Sequence, residues 1–291
     1  MTQDLSKQSN RLQDGGRIDR SKPLTFTYNG KQYKGFEGDT LASALLANGV
    51  DIVGRSFKYS RPRGIVAAGA EEPNAIMQVG STEATQIPNV RATQQSLYNG
   101  LVASTTNGWP NVDTDLMSWV GKVGGKMMPP GFYYKTFMWP AAFWEKLYEP
   151  IIRKAAGLGS LSMQDDPDEY DKGFLHCDLL IVGAGPAGLS AALTAGRSGA
   201  DVIIADEDFR LGGRLNSETF AIGDDAAADW AAQAVAELAS MPNVRVMPRT
   251  TIIGAFDHGI YGAVERVSDH LATPDTGKPR QVLWRIYSQR T

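Results

Sequence analysis

The segment Asp178-Leu179-Leu180-Ile181-Val182-Gly183-Ala184-Gly185-Pro186-Ala187-Gly188 constrains this chain more than any other. An apolar run of one strand's length, without polar alternation, reads as a strand buried on both faces. The glycine-rich turn sits where that strand feeds a helix, which the pattern carries to about Arg197. Ser198-Gly199 turns the chain, and Asp201-Val202-Ile203-Ile204-Ala205-Asp206 reads as a second buried strand that ends on an acid. A G-x-G-x-x-G match alone is weak evidence. With strand before, helix after and an acid 23 residues beyond Gly183, its context is complete.

The order predicts a Rossmann-type dinucleotide-binding unit, and each residue has a physical task. Gly183 permits the tight strand-to-helix turn. Gly185 removes a side chain where the backbone must approach a pyrophosphate, and Gly188 lets the helix close on the strand. Pro186 suits the first helical turn, where its missing N–H costs nothing. The free N–H groups and the positive end of the helix dipole then face the diphosphate. Asp206, or Glu207 beside it, can accept hydrogen bonds from ribose hydroxyls. A carboxylate there would repel a 2′-phosphate, so NADP is disfavoured. Gly213 and Arg214, in the loop Gly212-Gly213-Arg214, would pass near the pyrophosphate or ribose; a flexible glycine loop with a solvated arginine is the competing reading. Ile252, on an expected strand over 250–256, would run past the adenine edge and offer its backbone, with core packing an equal alternative. FAD and NAD share the ADP half, so the motif suits both.

The start of the chain is of another kind. Met1 to Arg20 is polar and reads as a flexible arm. Leu24-Thr25-Phe26-Thr27-Tyr28 alternates as a half-buried strand does. Asn29-Gly30 is the preferred pair for a tight hairpin turn, and 31–36 returns. Asp39 or Thr40 can cap a short helix that Gly49 closes. Further strands are expected over 65–68, 75–79 and 86–91. Hairpin, helix and short strands over residues 21–108 predict a ferredoxin-like β-grasp domain. Within it, Arg55 to Arg63 is basic with two aromatics; it could meet a phosphate or an acidic partner, or be a locally hydrogen-bonded loop. Residues 109–175 form an aromatic-rich connector, with a helix expected over 141–156. So much apolar surface is costly in water, at about 25 cal/mol per Å², so the connector should pack on its own chain or on a partner. From 176 the Rossmann-type domain continues with a helix over 225–240 and strands over 244–246, 250–256 and 281–287.

Composition removes other classes. Of 291 residues 42% are hydrophobic and 21% charged, as in an ordinary globular protein, and 29 basic against 32 acidic residues leave a charge of −3. That balance argues against nucleic acid as a partner, and no apolar run approaches the ~20 residues of a membrane span. One cysteine, Cys177, excludes a disulfide within the chain, and no cysteine lies in residues 21–108 to hold an iron–sulfur cluster. A single thiol fits a reducing, cytoplasmic setting. His176, His258 and His270 are too scattered for a metal site. His176 and Cys177 read as structural, His258 and His270 as solvent-facing. Gly121 to Lys126 lacks the spacing and the Ser or Thr of a phosphate loop, and no nucleophile elbow or zinc-helix motif is present.

A cysteine-free β-grasp domain, the segment Ser56-Phe57-Lys58-Tyr59-Ser60-Arg61-Pro62-Arg63-Gly64, an aromatic connector and GAGPAG in a dinucleotide fold together resemble the alpha subunit of heterotetrameric sarcosine oxidases, from about Ser21 onward. The resemblance implies α/β plus α+β architecture and a component of an enzyme with beta, gamma and delta subunits. That enzyme oxidises sarcosine with O₂ to glycine, hydrogen peroxide and formaldehyde, or to methylenetetrahydrofolate when tetrahydrofolate is present. It also implies NAD on this subunit's dinucleotide fold, FAD and the amine-oxidation site on the beta subunit, and FMN at the boundary between them. Ala187, Asp206, Glu207, Arg214 and Ile252 would be NAD contacts beside the glycines of the turn. No catalytic residue is implied here. Family alpha subunits are far longer, so the chain reads as an N-terminal portion whose dinucleotide fold is incomplete at the C-terminus. A self-standing FAD-dependent oxidoreductase and a non-catalytic interaction module are the other readings.

Overall fold

The computed structural model describes residues 8–116, 118–119, 131, 135, 137–272 and 277–291. The phosphate-loop look-alike at 121–126, most of the aromatic stretch at 127–134 and the first seven residues of the expected arm lie outside them. Two compact units are present, Met1–Pro167 and Asp168–Thr291.

The first unit is built on a five-stranded sheet. Strands β1 (Asp19–Tyr28) and β2 (Lys31–Glu37) form an antiparallel hairpin, with Asn29 and Gly30 at φ 48° and 76°. Both turn residues therefore occupy the left-handed region, which Asn and Gly tolerate best. Helix α1 (Leu41–Ala47) starts at Thr40, whose hydroxyl accepts from the Ser43 amide while the Ser43 hydroxyl accepts from the Thr40 amide. After the two-residue strands β3 (Gly54–Arg55) and β4 (Pro62–Arg63) come β5 (Ile76–Val79), β6 (Ile87–Arg91) and β7 (Leu101–Thr105), giving the order β2-β1-β7-β5-β6. Strand β7 runs parallel to β1 and antiparallel to β5. Phe26, Leu41, Leu45, Met77 and Leu101 form the core between sheet and α1.

Two expectations for this unit are corrected. Residues 8–20 are not a free arm throughout: β1 begins at Asp19, and Arg11 donates from both terminal nitrogens, at 3.1 and 2.7 Å, to the buried carboxylate of Asp39. Residues 65–68 are a loop, because Glu72 takes their backbone donors. Glu72 is 1% exposed, and its carboxylate accepts from the amides of Val66, Ala67, Asn74 and Ala75 at 2.7–3.1 Å. Burial by itself would raise the Glu72 pKa; the four amides outweigh it and hold the group below its ordinary value. Its stabilisation is thus complete above the usual carboxylate range and is lost as pH falls through the lowered value. Glu72→Gln, which faces two of those amides with an NH₂, is expected to cost about 2–4 kcal/mol at pH 7. Urea unfolding at pH 7 and pH 3 should show the gap between wild type and variant shrinking at acid pH.

The connector helix arises in pieces: a 3₁₀ turn at Ala141–Phe143, a π turn at Trp144–Tyr148 and α2 (Glu149–Ala156), with Pro150 in the first turn of α2 and Gly157 ending it at φ 81°. None of these residues is buried, and Trp139 is 80% exposed. Of the two alternatives, packing on its own chain or on a partner, these residues show no burial against their own chain. Beyond the helix, Gly159 and Ser160 bond to Asn89 and Gln78 of the first unit.

The second unit is a six-stranded sheet of order β12-β9-β8-β15-β14-β13. It comprises β8 (Tyr170–Val182), β9 (Val202–Ala205), β12 (Val244–Met247), β13 (Thr250–Phe256), β14 (Ile260–Arg266) and β15 (Gln281–Arg290), with α3 (Pro186–Arg197) and α4 (Ala227–Ser240) as its helices. A small hairpin, β10 (Ala221–Ile222) and β11 (Asp225–Ala226), precedes α4. Strands β12, β9, β8 and β15 are parallel, while β15, β14 and β13 form an antiparallel meander. Ile181, Val202 and Ile204 pack with Leu189, Leu193, Ala231 and Leu238 of the helices. Leu180 and Ile203 point into a second core with Met247, Ala263 and Ile286. The apolar runs are uninterrupted because both faces of these strands are covered. Strand β8 starts eight residues before Asp178, since Tyr170 to Tyr287-paired His176 runs alongside β15. No helix among the described residues is long and apolar enough to cross a membrane.

Candidate dinucleotide site

The turn from β8 to α3 is open on one side and closed on the other. A Cβ placed on Gly183 or Gly185 would meet no atom within 4 Å, whereas one on Gly188 would collide with the Gly183 carbonyl and reach Ile181 Cγ2 at 3.3 Å. Gly183 stands at φ 95°, a conformation suited to glycine. Gly185 is the residue before the helix, and no side chain caps the first turn, where Pro186 and Ala187 are exposed. The amide-bearing end of α3 therefore faces solvent with space above it.

The second glycine loop lies against the first. The Gly212 amide donates to the Ala184 carbonyl at 2.9 Å, and a Cβ on Gly213 would reach Gly185 Cα at 3.2 Å. Gly212 and Gly213 both hold positive φ, at 119° and 53°. The lack of a side chain on Gly213 is what leaves room for this approach.

Asp206 follows β9 and lies at the same turn. Its Oδ2 accepts from the Ala184 amide at 2.5 Å and its Oδ1 from the Asp208 amide at 2.8 Å. A carboxylate has about four acceptor sites, so two remain for ribose hydroxyls. Glu207 is half-buried, and its carbonyl accepts from Arg266. Gly183, Gly185, Pro186, Ala187, Gly188, Asp206 and Gly213 are thus gathered at one place. Arg214 is not: its side chain is exposed and paired with Glu218 on its own loop. Ile252 packs its side chain against the second core and pairs with Ala263, so only its backbone could serve a ligand.

Sequence reasoning missed the residues behind the acid. Arg249 and Arg266 flank the β9 tip, Arg249 over the Phe209 ring at 5.0 Å. Burial, then the neighbouring Arg266, push Arg249 down to about 10, and Asp269 opposes them. Nothing in the glycine motif signals these arginines; they arrive from β14 and the turn before β13. His270 is not solvent-facing as expected, since its Nδ1 is sealed from water. His176 stacks on Tyr287 at 5.0 Å, and burial raises the Cys177 thiol pKa. In the basic loop, Arg55 donates to the carbonyls of Val112, Ser60 and Asp113, and Lys58 and Arg61 flank the Tyr59 ring.

Fold and site together define the class: a ferredoxin-like domain followed by a Rossmann-like dinucleotide-binding domain. Residues 21–108 match the family model described as a 2Fe-2S iron-sulfur cluster binding domain, and residues 181–249 match an NAD(P)-binding Rossmann-like domain. The chain is homologous along nearly its whole length to sarcosine oxidase alpha subunits. It is 56% identical over 281 residues to "Sarcosine oxidase subunit alpha" of Rhizobium meliloti (strain 1021), covering 96% of this chain and 28% of that protein. To the subunit of the same name from Corynebacterium sp. (strain P-1) it is 36% identical over 273 residues, covering 93% of this chain and 23% of that one. The chain thus spans about a quarter of the length of these relatives. Among solved structures, L-proline dehydrogenase from P. horikoshii superposes with a TM-score of 0.52 at 17% identity, covering 96% of this chain and 40% of that chain, a likeness of fold. The cluster-binding description does not fit the donors: residues 21–108 contain neither cysteine nor histidine.

Proposed function

We propose that the second unit binds NAD, and that the chain is the nucleotide-binding part of a sarcosine oxidase alpha subunit. The observation that carries the nucleotide reading is the contrast within one motif. Gly183 and Gly185 border open space, Gly188 closes on the strand, and Asp206 lies at the turn between them. The amides at the start of α3 would hold the pyrophosphate, and Asp206, with Glu207 beside it, the adenosine ribose. Gly213 would line the diphosphate channel, and the Ile252 backbone would meet the adenine edge. Arg214 would have to leave Glu218 to contribute.

On this reading the parent enzyme takes two electrons from the methyl C–N bond of sarcosine and passes them to O₂. Sarcosine, O₂ and water give glycine, formaldehyde and hydrogen peroxide, or the one-carbon unit goes to tetrahydrofolate. FAD and FMN would serve that oxidation in the assembled complex with beta, gamma and delta subunits. A nicotinamide dinucleotide supplies hydride-transfer chemistry when bound; the residues of this chain bind and orient it. The exposed connector around Trp139, Phe143 and Trp144 gives the partner subunits an apolar face.

Calorimetric titration of the chain with NAD⁺, FAD and NADP⁺ is expected to give heat with NAD⁺ and at least tenfold weaker binding of NADP⁺. Mass spectrometry of nucleotide released on denaturation checks the same point. Flavin absorbance in the purified chain would favour the FAD reading, and silence with all three ligands would leave an interaction module. Peroxide formation from sarcosine by the chain alone would contradict the division of labour.

A further inference from the structure

We infer that Arg266 is a positioning residue for nucleotide discrimination, holding the acidic tip beyond β9 so that Asp206 stays against the glycine turn. The inference rests on the NAD reading above. Three successive carbonyls of the tip each accept one bond from across the sheet. Asp206 accepts from the Thr250 amide at 2.7 Å, Glu207 from Arg266 Nη2 at 2.6 Å and Asp208 from the Arg249 amide at 3.0 Å. The Arg266 amide in turn donates to the Arg249 carbonyl at 3.0 Å, so the clamp is continuous with β14. Two of the three bonds are made by backbone. The middle one is made by a side chain, and it falls on the residue next to the acid.

The guanidinium that bonds the Glu207 carbonyl is half-buried, with Arg249 as a cationic neighbour. Burial pulls the Arg266 pKa below the ordinary value, and the carboxylates of Asp269, Asp208 and Glu207 oppose that pull. A charge-assisted bond of this kind is stronger than a neutral one. With the tip held, the Asp208 amide stays within 2.8 Å of Asp206 Oδ1, and the Ala184 amide holds Oδ2. The carboxylate then has one orientation toward the ribose. Loosening the tip lets it rotate away, which costs hydrogen bonds to the hydroxyls of NAD⁺ and relieves repulsion against a 2′-phosphate.

The test is calorimetry with NAD⁺ and NADP⁺ on the 291-residue chain and its Arg266→Met and Arg266→Lys variants. Arg266→Met is expected to weaken NAD⁺ about tenfold while NADP⁺ is unchanged or tighter, and Arg266→Lys to recover part of the preference. General loosening of the fold would weaken both ligands alike. An unchanged NAD⁺/NADP⁺ ratio in Arg266→Met overturns the inference, and so does a selective loss of NADP⁺, which would make Arg266 a phosphate ligand. Amide exchange covers the case of a variant that does not fold. In Arg266→Lys the Asp208 amide should exchange at least tenfold faster than in wild type, and an equal rate overturns the clamp. Silence of the wild-type chain with NAD⁺ would instead remove the nucleotide reading, leaving the exchange result to judge the clamp.

Discussion

Gly185→Val should weaken NAD⁺ binding by about 100-fold, or about 2.7 kcal/mol, in a chain that still folds. Gly188→Ala should do the opposite and strike the fold first. Gly185 has φ −73°, open to any residue, and no protein atom lies within 4 Å of an added Cβ. It is the N-cap of α3, where replacing glycine by valine costs no more than about 1 kcal/mol. The branched side chain would occupy the space where a diphosphate must approach. At Gly188 the added carbon meets the Gly183 carbonyl, which is backbone and cannot turn aside. In an exposed helix, Gly to Ala gains about 1 kcal/mol. Here overpacking should reverse the sign and cost about 3 kcal/mol. Titration calorimetry and urea unfolding on the same two variants separate the outcomes. If Gly185→Val bound NAD⁺ as wild type does, the open side of the turn would not be the diphosphate site. Gly183 is the wrong position for this comparison, because its φ of 95° would add backbone strain to any substitution.

The same turn shows which parts of the fold could be read in the sequence. Gly183 to Gly188 is local: each glycine answers a demand made within a few residues of itself. So are Asn29-Gly30 at the hairpin, Thr40 with Ser43 at the start of α1, and the doubly buried runs of β8 and β9. Elements fixed by distant partners were not legible. Strand β7, Leu101–Thr105, is short and carries Ser and Thr; its central place comes from pairing with Phe26–Tyr28, far away in sequence. The first half of β8 is polar, with Asp171 and Lys172, and is a strand only because β15 lies alongside. Strand β14 includes Gly262, a strand-weakening residue, and is set by two neighbours in the meander. The reverse error has the same origin. Ile65 to Ala68 has strand composition, but Glu72 supplies its amides with a carboxylate instead of a ladder.

The candidate site divides along the same line. The glycines and the acid were legible because they fall in one local motif, at the spacing that a diphosphate and a ribose would demand. The clamp on the acid was not, because Thr250, Arg249 and Arg266 act through backbone carbonyls, and any residue has one. The expectation for Arg214 rested on its place in a glycine loop and on the family resemblance, and its pairing with Glu218 depends on a side chain four residues on.

Asp39→Ala should destabilise the first unit by about 3–5 kcal/mol, the range for removing one partner of a buried ion pair. The Asp39 residue is 1% exposed, and its carboxylate gathers four donors: both terminal nitrogens of Arg11, the Phe36 amide at 2.9 Å and the Ser43 hydroxyl at 2.7 Å. The Arg11 side chain is largely buried, with its guanidinium 5.3 Å from the centre of the Phe36 ring. Truncation leaves that charge without its carboxylate, and it removes the acceptor that ties β2 to the start of α1. The bidentate geometry makes the pair directional, and burial shields it from screening, so 0.5 M salt should not reproduce the loss. Arg11→Ala should cost less, because the Phe36 amide and the Ser43 hydroxyl still hold the remaining carboxylate. Urea unfolding of both variants gives the comparison. A loss below about 1 kcal/mol for Asp39→Ala is what an exposed surface pair would show. It would mean that residues 8–20 move as a polar arm in solution and that the hairpin and α1 hold together through their apolar contacts alone.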